Sequence, residues 1–114
     1  MSQSHLSLEL GKIHATPGAL ELCRLASGAN SVSDEPAQEF IRELLVRHAT
    51  EDWGDIDKED QASNYEALEY GLRVFSSYPN ITERPFVEVN NPPRVWIITE
   101  ADRNSTAILL PEEY

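Results

Sequence analysis

The amino-acid sequence predicts a small α+β domain: an antiparallel sheet with a C-terminal hairpin at its centre, covered by about three N-terminal helices. Three observations carry this. Residues 95–111 are the most apolar stretch of the chain and read as two strands joined by a polar turn. Upstream, capping residues and apolar positions at helical spacing recur in successive segments. The length, 114 residues, suits one domain spanning 1–114 with a single hydrophobic core.

Taken in order, residues 1–5 are polar and expected to be loose. Leu6, Leu8 and Leu10 alternate with Ser7 and Glu9, the period of a short strand. Gly11 breaks it, and Ile13 to Ala15 can continue it as far as Thr16. Thr16-Pro17 then opens a helix, threonine capping free N–H groups and proline taking the first helical position. This helix is expected to run to about Ala26, with Leu22 and Leu25 inward.

Ser33, Asp34, Glu35 and Pro36 place a cap, two acids and a proline at the start of a second helix. Phe40, Ile41, Leu44 and Leu45, with His48 one turn on, form its inward stripe; Arg42 and Arg47 lie off it. Asp57 is the expected cap of a third helix. Its stripe is read as Ala62, Tyr65, Leu68 and Leu72, and Gly71 is its stop. Residues 73–78 are β-branched and aromatic, hence a strand. Phe86 to Val89 is a candidate edge strand, because prolines crowd both of its ends. The hairpin follows. Val95, Trp96, Ile97 and Ile98 are apolar on both faces, so the first hairpin strand is expected to be central.

Composition narrows the function classes. Twenty acids against nine bases leave a net charge of −11. Such a surface repels phosphate, so direct nucleic-acid binding is not expected, whereas a partner protein with a basic surface suits it. One cysteine, Cys23, excludes an intramolecular disulfide and a thiolate metal cluster. It sits among leucines, as a buried small hydrophobe does. The first five residues carry no basic group and lead into no long apolar run. Neither a secretory leader nor a membrane span is therefore expected, and the expected compartment is the cytoplasm.

Several local patterns stand together: Leu10-Gly11-Lys12-Ile13 with Ala15-Thr16-Pro17-Gly18-Ala19-Leu20; Arg47-His48 with Asp52-Trp53-Gly54-Asp55-Ile56-Asp57 and Glu59-Asp60; Arg73-Val74 with Ser76-Ser77-Tyr78; and Trp96-Ile97-Ile98-Thr99-Glu100-Ala101-Asp102-Arg103 with Thr106, Ile108-Leu109-Leu110-Pro111 and Tyr114. In these the chain resembles a family of small bacterial, phage and plasmid proteins, of the kind labelled plasmid-related. It departs from that pattern at about residues 23–36 and 83–93. The resemblance implies a mobile-element or host-interaction context, not a reaction.

Two constellations could carry chemistry. His48, Asp52, Asp55 and Asp57 combine an imidazole with carboxylates within ten residues, the makings of a cation site or of a base with its orienting acid. Their structural alternative is a packed histidine favouring the helix C-terminus, with aspartates as turn and cap residues. The aspartate spacing does not match a calcium loop. Glu100, Asp102 and Arg103 crowd the hairpin tip, at one end of a rigid sheet, where binding groups concentrate. Their alternative is a well-made turn. There is no glycine-rich phosphate loop, nucleophile elbow or zinc pattern, so no cofactor is expected.

The sequence and the resemblance together favour a non-catalytic acidic interaction protein that contacts a basic surface of a host or defence, DNA-handling protein through residues 51–60 and neighbouring acids. A small metal-dependent or nucleotide-handling enzyme is the alternative and needs the two constellations to converge. A third reading is a homodimer formed through Trp96 or Phe86 on an exposed sheet face.

Overall fold

The most apolar run of the chain occupies the middle of the sheet. A computed structural model of the protein describes residues 8–27, 35–79 and 94–114. The hairpin consists of β3 (Arg94–Thr99) and β4 (Ser105–Leu109), antiparallel with Ile97 opposite Ile108 and Thr99 opposite Thr106. β2 (Val74–Pro79) runs antiparallel on the other side of β3, and β1 (Lys12–Ala15) runs parallel beside β4. The order is β1-β4-β3-β2, so the hairpin is central, as its two-sided apolar pattern predicts. The sheet is antiparallel across β2, β3 and β4 and becomes mixed only at β1. That strand delivers the chain straight into α1 (Pro17–Ser27).

The three helices are α1, α2 (Glu35–Ala49) and α3 (Lys58–Tyr70). Thr16 caps α1 through its hydroxyl, which accepts from Ala19 N–H at 3.1 Å. Ala19 and Cys23 of α1, and Ile41 and Leu44 of α2, pack against Tyr78, Val95, Ile97 and Ile108. This is the main core, and Leu22, Phe40 and Leu45 line its margin. A smaller cluster of Trp53, Ala67 and Val74, with Leu8 and Ile56, lies under α3.

Two sequence expectations change. The strand proposed for Leu6, Leu8 and Leu10 is not one over residues 8–10; β1 begins after Gly11. The backbone there is used otherwise. Leu8 N–H donates to Ala49 O at the end of α2, and Leu10 O accepts the Thr106 hydroxyl. The stripe proposed for α3 also turns out to point the other way. The helix buries Asn64 and Ala67, while Ala62, Tyr65, Leu68 and Leu72 are exposed. The loose N-terminus, the alternation at Leu6, the inward side chain of Leu25, the Ser33–Asp34 cap and the edge strand at Phe86 lie outside the described residues.

Asn64 faces inward because of the edge of β2. Its amide Nδ2 donates to Phe75 O at 2.7 Å, and its Oδ1 accepts from Phe75 N–H at 3.0 Å. One side chain thus replaces a strand partner. Two residues along, Ser77 N–H donates to Trp53 O and Ser77 O accepts from Asp55 N–H at 3.0 and 2.7 Å. Gly54, at φ +77°, allows this approach, since a Cβ there would lie 2.1 Å from Ser77 O. The outward backbone groups of β2 are satisfied in this way, which blunts an edge otherwise open to pairing. Among the described residues no helix is long and apolar enough to cross a membrane.

Candidate functional site

His48 stands on the last turn of α2 and is buried, with its ring reaching into the sheet. Nδ1 meets the Ser76 hydroxyl, and Nε2 meets the Thr99 hydroxyl at 2.9 Å. Thr99 continues to the Thr106 hydroxyl at 2.8 Å, and Thr106 donates to Leu10 O at 2.8 Å. The terminal carbonyl fixes the direction of this chain, because each hydroxyl has one proton. Thr106 donates to Leu10 O, so it accepts from Thr99. Thr99 therefore accepts from His48 Nε2–H. In the neutral ring that burial favours, Nδ1 then accepts from the Ser76 hydroxyl.

Burial, and secondarily the Arg103 guanidinium, push the His48 pKa down to about 4. Of the structural alternative, the packed histidine is found, while a neutral ring brings no positive charge to the end of the α2 dipole. His48 satisfies two buried hydroxyls beneath the hairpin base, those of Ser76 and Thr99, and its ring partners there are hydroxyls, not carboxylates.

The aspartates that follow go elsewhere. Arg47 Nε donates to Asp52 Oδ2 at 2.7 Å, and Nη2 donates to Oδ1 at 3.3 Å. This pairing raises the arginine pKa and lowers that of the acid. The guanidinium also lies 4.6 Å from the centroid of the Tyr78 ring, and Tyr78 donates its hydroxyl to Asp52 O at 2.8 Å. These groups, with Gly54, Asp55 and Pro79, line an open cleft of about 340 Å³. Its two strongest charges already neutralise each other. Asp55 contributes its backbone to the β2 edge and leaves its carboxylate exposed. Asp57 caps α3 as the sequence predicts, accepting from Asp60 N–H at 2.8 Å.

At the hairpin tip each charged residue has a structural task. Asp102 Oδ1 accepts from Asn104 N–H at 2.9 Å and shapes the turn. Glu100 lies 3.4 Å from Arg73 Nε. Arg103, at φ +63°, reaches away from the turn to α3. Its guanidinium donates to Leu72 O at 2.6 Å, Ala67 O at 2.9 Å and Glu100 O at 3.1 Å. α3 has no basic residue in its last turn, so Arg103 supplies the positive charge that its C-terminal end favours.

One residue of each constellation meets an end of the same helix. Asp57 holds the N-terminus of α3 and Arg103 holds its C-terminus. The helix has 13 residues. At 1.5 Å per residue the two ends lie about 20 Å apart. Asp57 therefore does not reach Glu100, Asp102 and Arg103. His48 lies close enough to Arg103 to feel its charge, but its ring partners are the Ser76 and Thr99 hydroxyls and not a carboxylate, so the acid–base pair that the enzyme reading needs is not formed there. Among the described residues, no group of three or more His, Cys, Asp or Glu is arranged to hold a metal ion. Burial pushes the Cys23 thiol up to about 11, which keeps it from acting as a thiolate.

Sequence reasoning missed the surface between these ends. Tyr65, Leu68 and Leu72 are 55%, 38% and 48% exposed. Beside them run Glu59, Glu66 and Glu69, all exposed. The one available signal was the polar Asn64 at a helix centre, three residues before Ala67. Trp96, considered as a dimer contact, is half-buried between Phe75 and Tyr114, with ring centroids at 5.1 and 5.8 Å; Phe86 lies outside the described residues. Compared with known proteins, the chain matches no family model, no curated protein and no solved structure.

Proposed function

We propose that this chain is a small acidic protein that acts by binding a basic surface on another protein, without catalysis. The observation that carries the reading is the charge of one segment, whose acids are exposed or half-exposed. Residues 51–70 hold Glu51, Asp52, Asp55, Asp57, Glu59, Asp60, Glu66 and Glu69 against Lys58 alone. Among the described residues only Asp52 of these is in an ion pair. Desolvation and the adjacent Asp57 and Glu59 carboxylates raise the pKa of Asp60, a sign of acids crowded without counter-charge. Such a field steers a basic partner and fixes its register.

The motif resemblance to plasmid and phage proteins suggests the setting: a mobile-element protein in the cytoplasm whose partner handles nucleic acid and so carries a basic groove. Affinity capture from a bacterial lysate at rising salt tests the binding mode. The wild-type chain is expected to hold basic proteins that elute on salt, and Asp55→Lys/Glu59→Lys/Glu66→Lys is expected to lose them. Capture insensitive to both salt and charge reversal contradicts the reading.

A further inference from the structure

We propose that the exposed face of α3 is the docking site for a basic amphipathic helix of a partner protein. The proposal rests on the acidic-docking reading and adds the form of the ligand. On a helix of about 3.6 residues per turn, positions 61, 65 and 68 form one row and positions 59, 66 and 69 form the next. The first row carries Gln61, Tyr65 and Leu68, and Leu72 lies just past the Gly71 cap. The second row is Glu59, Glu66 and Glu69. A partner helix with apolar residues at i, i+3 or i+4 and i+7 and lysines or arginines flanking them matches both rows at once.

The apolar row is held in place although it is exposed. The Tyr65 ring stands edge-on to buried Trp53, centroid to centroid 5.0 Å, so its orientation is set before a partner arrives. The backbone of Leu72 is fixed by its carbonyl, which receives Arg103, and by its N–H, which donates to Ala67 O at 3.0 Å. Asp57 and Gly71 close the two ends of the helix. An oriented aromatic beside leucines, flanked on one side by a row of acids, offers an anchor of the kind binding hot spots use, and preorganisation lowers the entropy cost of binding.

Charge selects the occupant. A second copy of this chain would set Glu59, Glu66 and Glu69 against the same acids of its mate, a like-charge contact that opposes association. An anionic lipid surface is repelled for the same reason. A basic helix gains from both rows.

The test titrates the full chain with a synthetic leucine–lysine peptide of helical apolar period and with a scrambled peptide of identical composition. Each is measured by fluorescence anisotropy at low and at moderate salt. The wild type is expected to bind the periodic peptide about ten-fold more tightly than the scrambled one, the step given by roughly 1.4 kcal/mol. Leu68→Ser/Leu72→Ser is expected to lose that preference at both salt concentrations. Glu59→Gln/Glu66→Gln/Glu69→Gln is expected to weaken binding mainly at low salt.

Circular dichroism confirms that each variant is folded, and Tyr65→Ser is the second probe of the apolar row. Equal binding of both peptides, lost only in the glutamine variant, overturns the helix site but leaves the acidic-docking reading standing. Binding lost in the serine variant but unchanged in the glutamine variant overturns both. No binding of the periodic peptide, self-association that the serine substitutions abolish, or capture by anionic vesicles also overturns the helix site.

Discussion

α2 and α3 carry apolar residues at the same helical spacing, yet only α2 turns them inward. In α2, Ile41, Leu44 and His48 are buried against the sheet, and Arg42 and Arg47 are exposed. In α3 the apolar row is exposed, and a polar residue, Asn64, is the one most deeply set beside Ala67. The difference lies in what each helix must satisfy. α2 lies over the sheet face and meets side chains. α3 lies along the edge of β2 and meets backbone N–H and C=O groups, which an amide can satisfy and a leucine cannot. Periodicity reports that a helix has two faces. It does not report which face the rest of the protein needs, and a mid-helix asparagine outweighs a stripe when a strand edge is nearby.

The largest effect is expected at the polar end of the α2 face. His48→Ala removes a buried ring and leaves the Ser76 and Thr99 hydroxyls without their imidazole partner, at a cost of about 3–5 kcal/mol in chemical denaturation. A loss under 1 kcal/mol would mean that the hydroxyl chain does not need the ring. A related result concerns pH. His48 is lowered from 6.5 to about 4 in the folded chain, so below pH 6.5 the unfolded chain binds the proton that the folded chain refuses. Its contribution to stability is complete above pH 6.5 and is lost as pH falls toward 4, a total of roughly 3 kcal/mol. An NMR titration of the His48 ring checks this directly: its midpoint is expected near 4, and a midpoint near 6.5 contradicts the buried neutral assignment.

The α3 side is expected to respond differently. Asn64→Leu adds apolar bulk to a helix but strips Phe75 of both backbone partners. It should destabilise by about 2–3 kcal/mol and promote edge-to-edge aggregation, visible by light scattering. Were α3 an ordinary amphipathic helix, the same substitution would stabilise it. Asp57→Ala removes the cap and should cost about 1 kcal/mol, with faster amide exchange confined to the first turn of α3.

The fold was legible where periodicity and chain direction agree. The central hairpin, the α2 face, the Thr16 and Asp57 caps and the Gly71 stop all rest on local chemistry that tolerates no other placement. The β1 start and the α3 face were not legible, because both are decided by long-range backbone accounting. Leu8 and Leu10 bond to Ala49 and Thr106, and Asn64 bonds to Phe75, across distances in sequence that no spacing rule sees. The candidate residues illustrate the same limit. His48, Asp52, Asp57, Asp102 and Arg103 were conspicuous because polar groups with structural tasks look, in sequence, like polar groups with chemical ones. Arg103 is the clearest case: a charge on a turn reads as a binding group until the helix end 31 residues back in the chain is seen to receive it.

The most direct measurement is the stability of Leu68→Ser/Leu72→Ser against the wild type in chemical denaturation. If the apolar row of α3 faces solvent in the folded chain, the two substitutions change the unfolding free energy by no more than about 0.5 kcal/mol each. If the row belongs to the core, each substitution costs at least 2 kcal/mol or so, and the surface assigned to a partner does not exist.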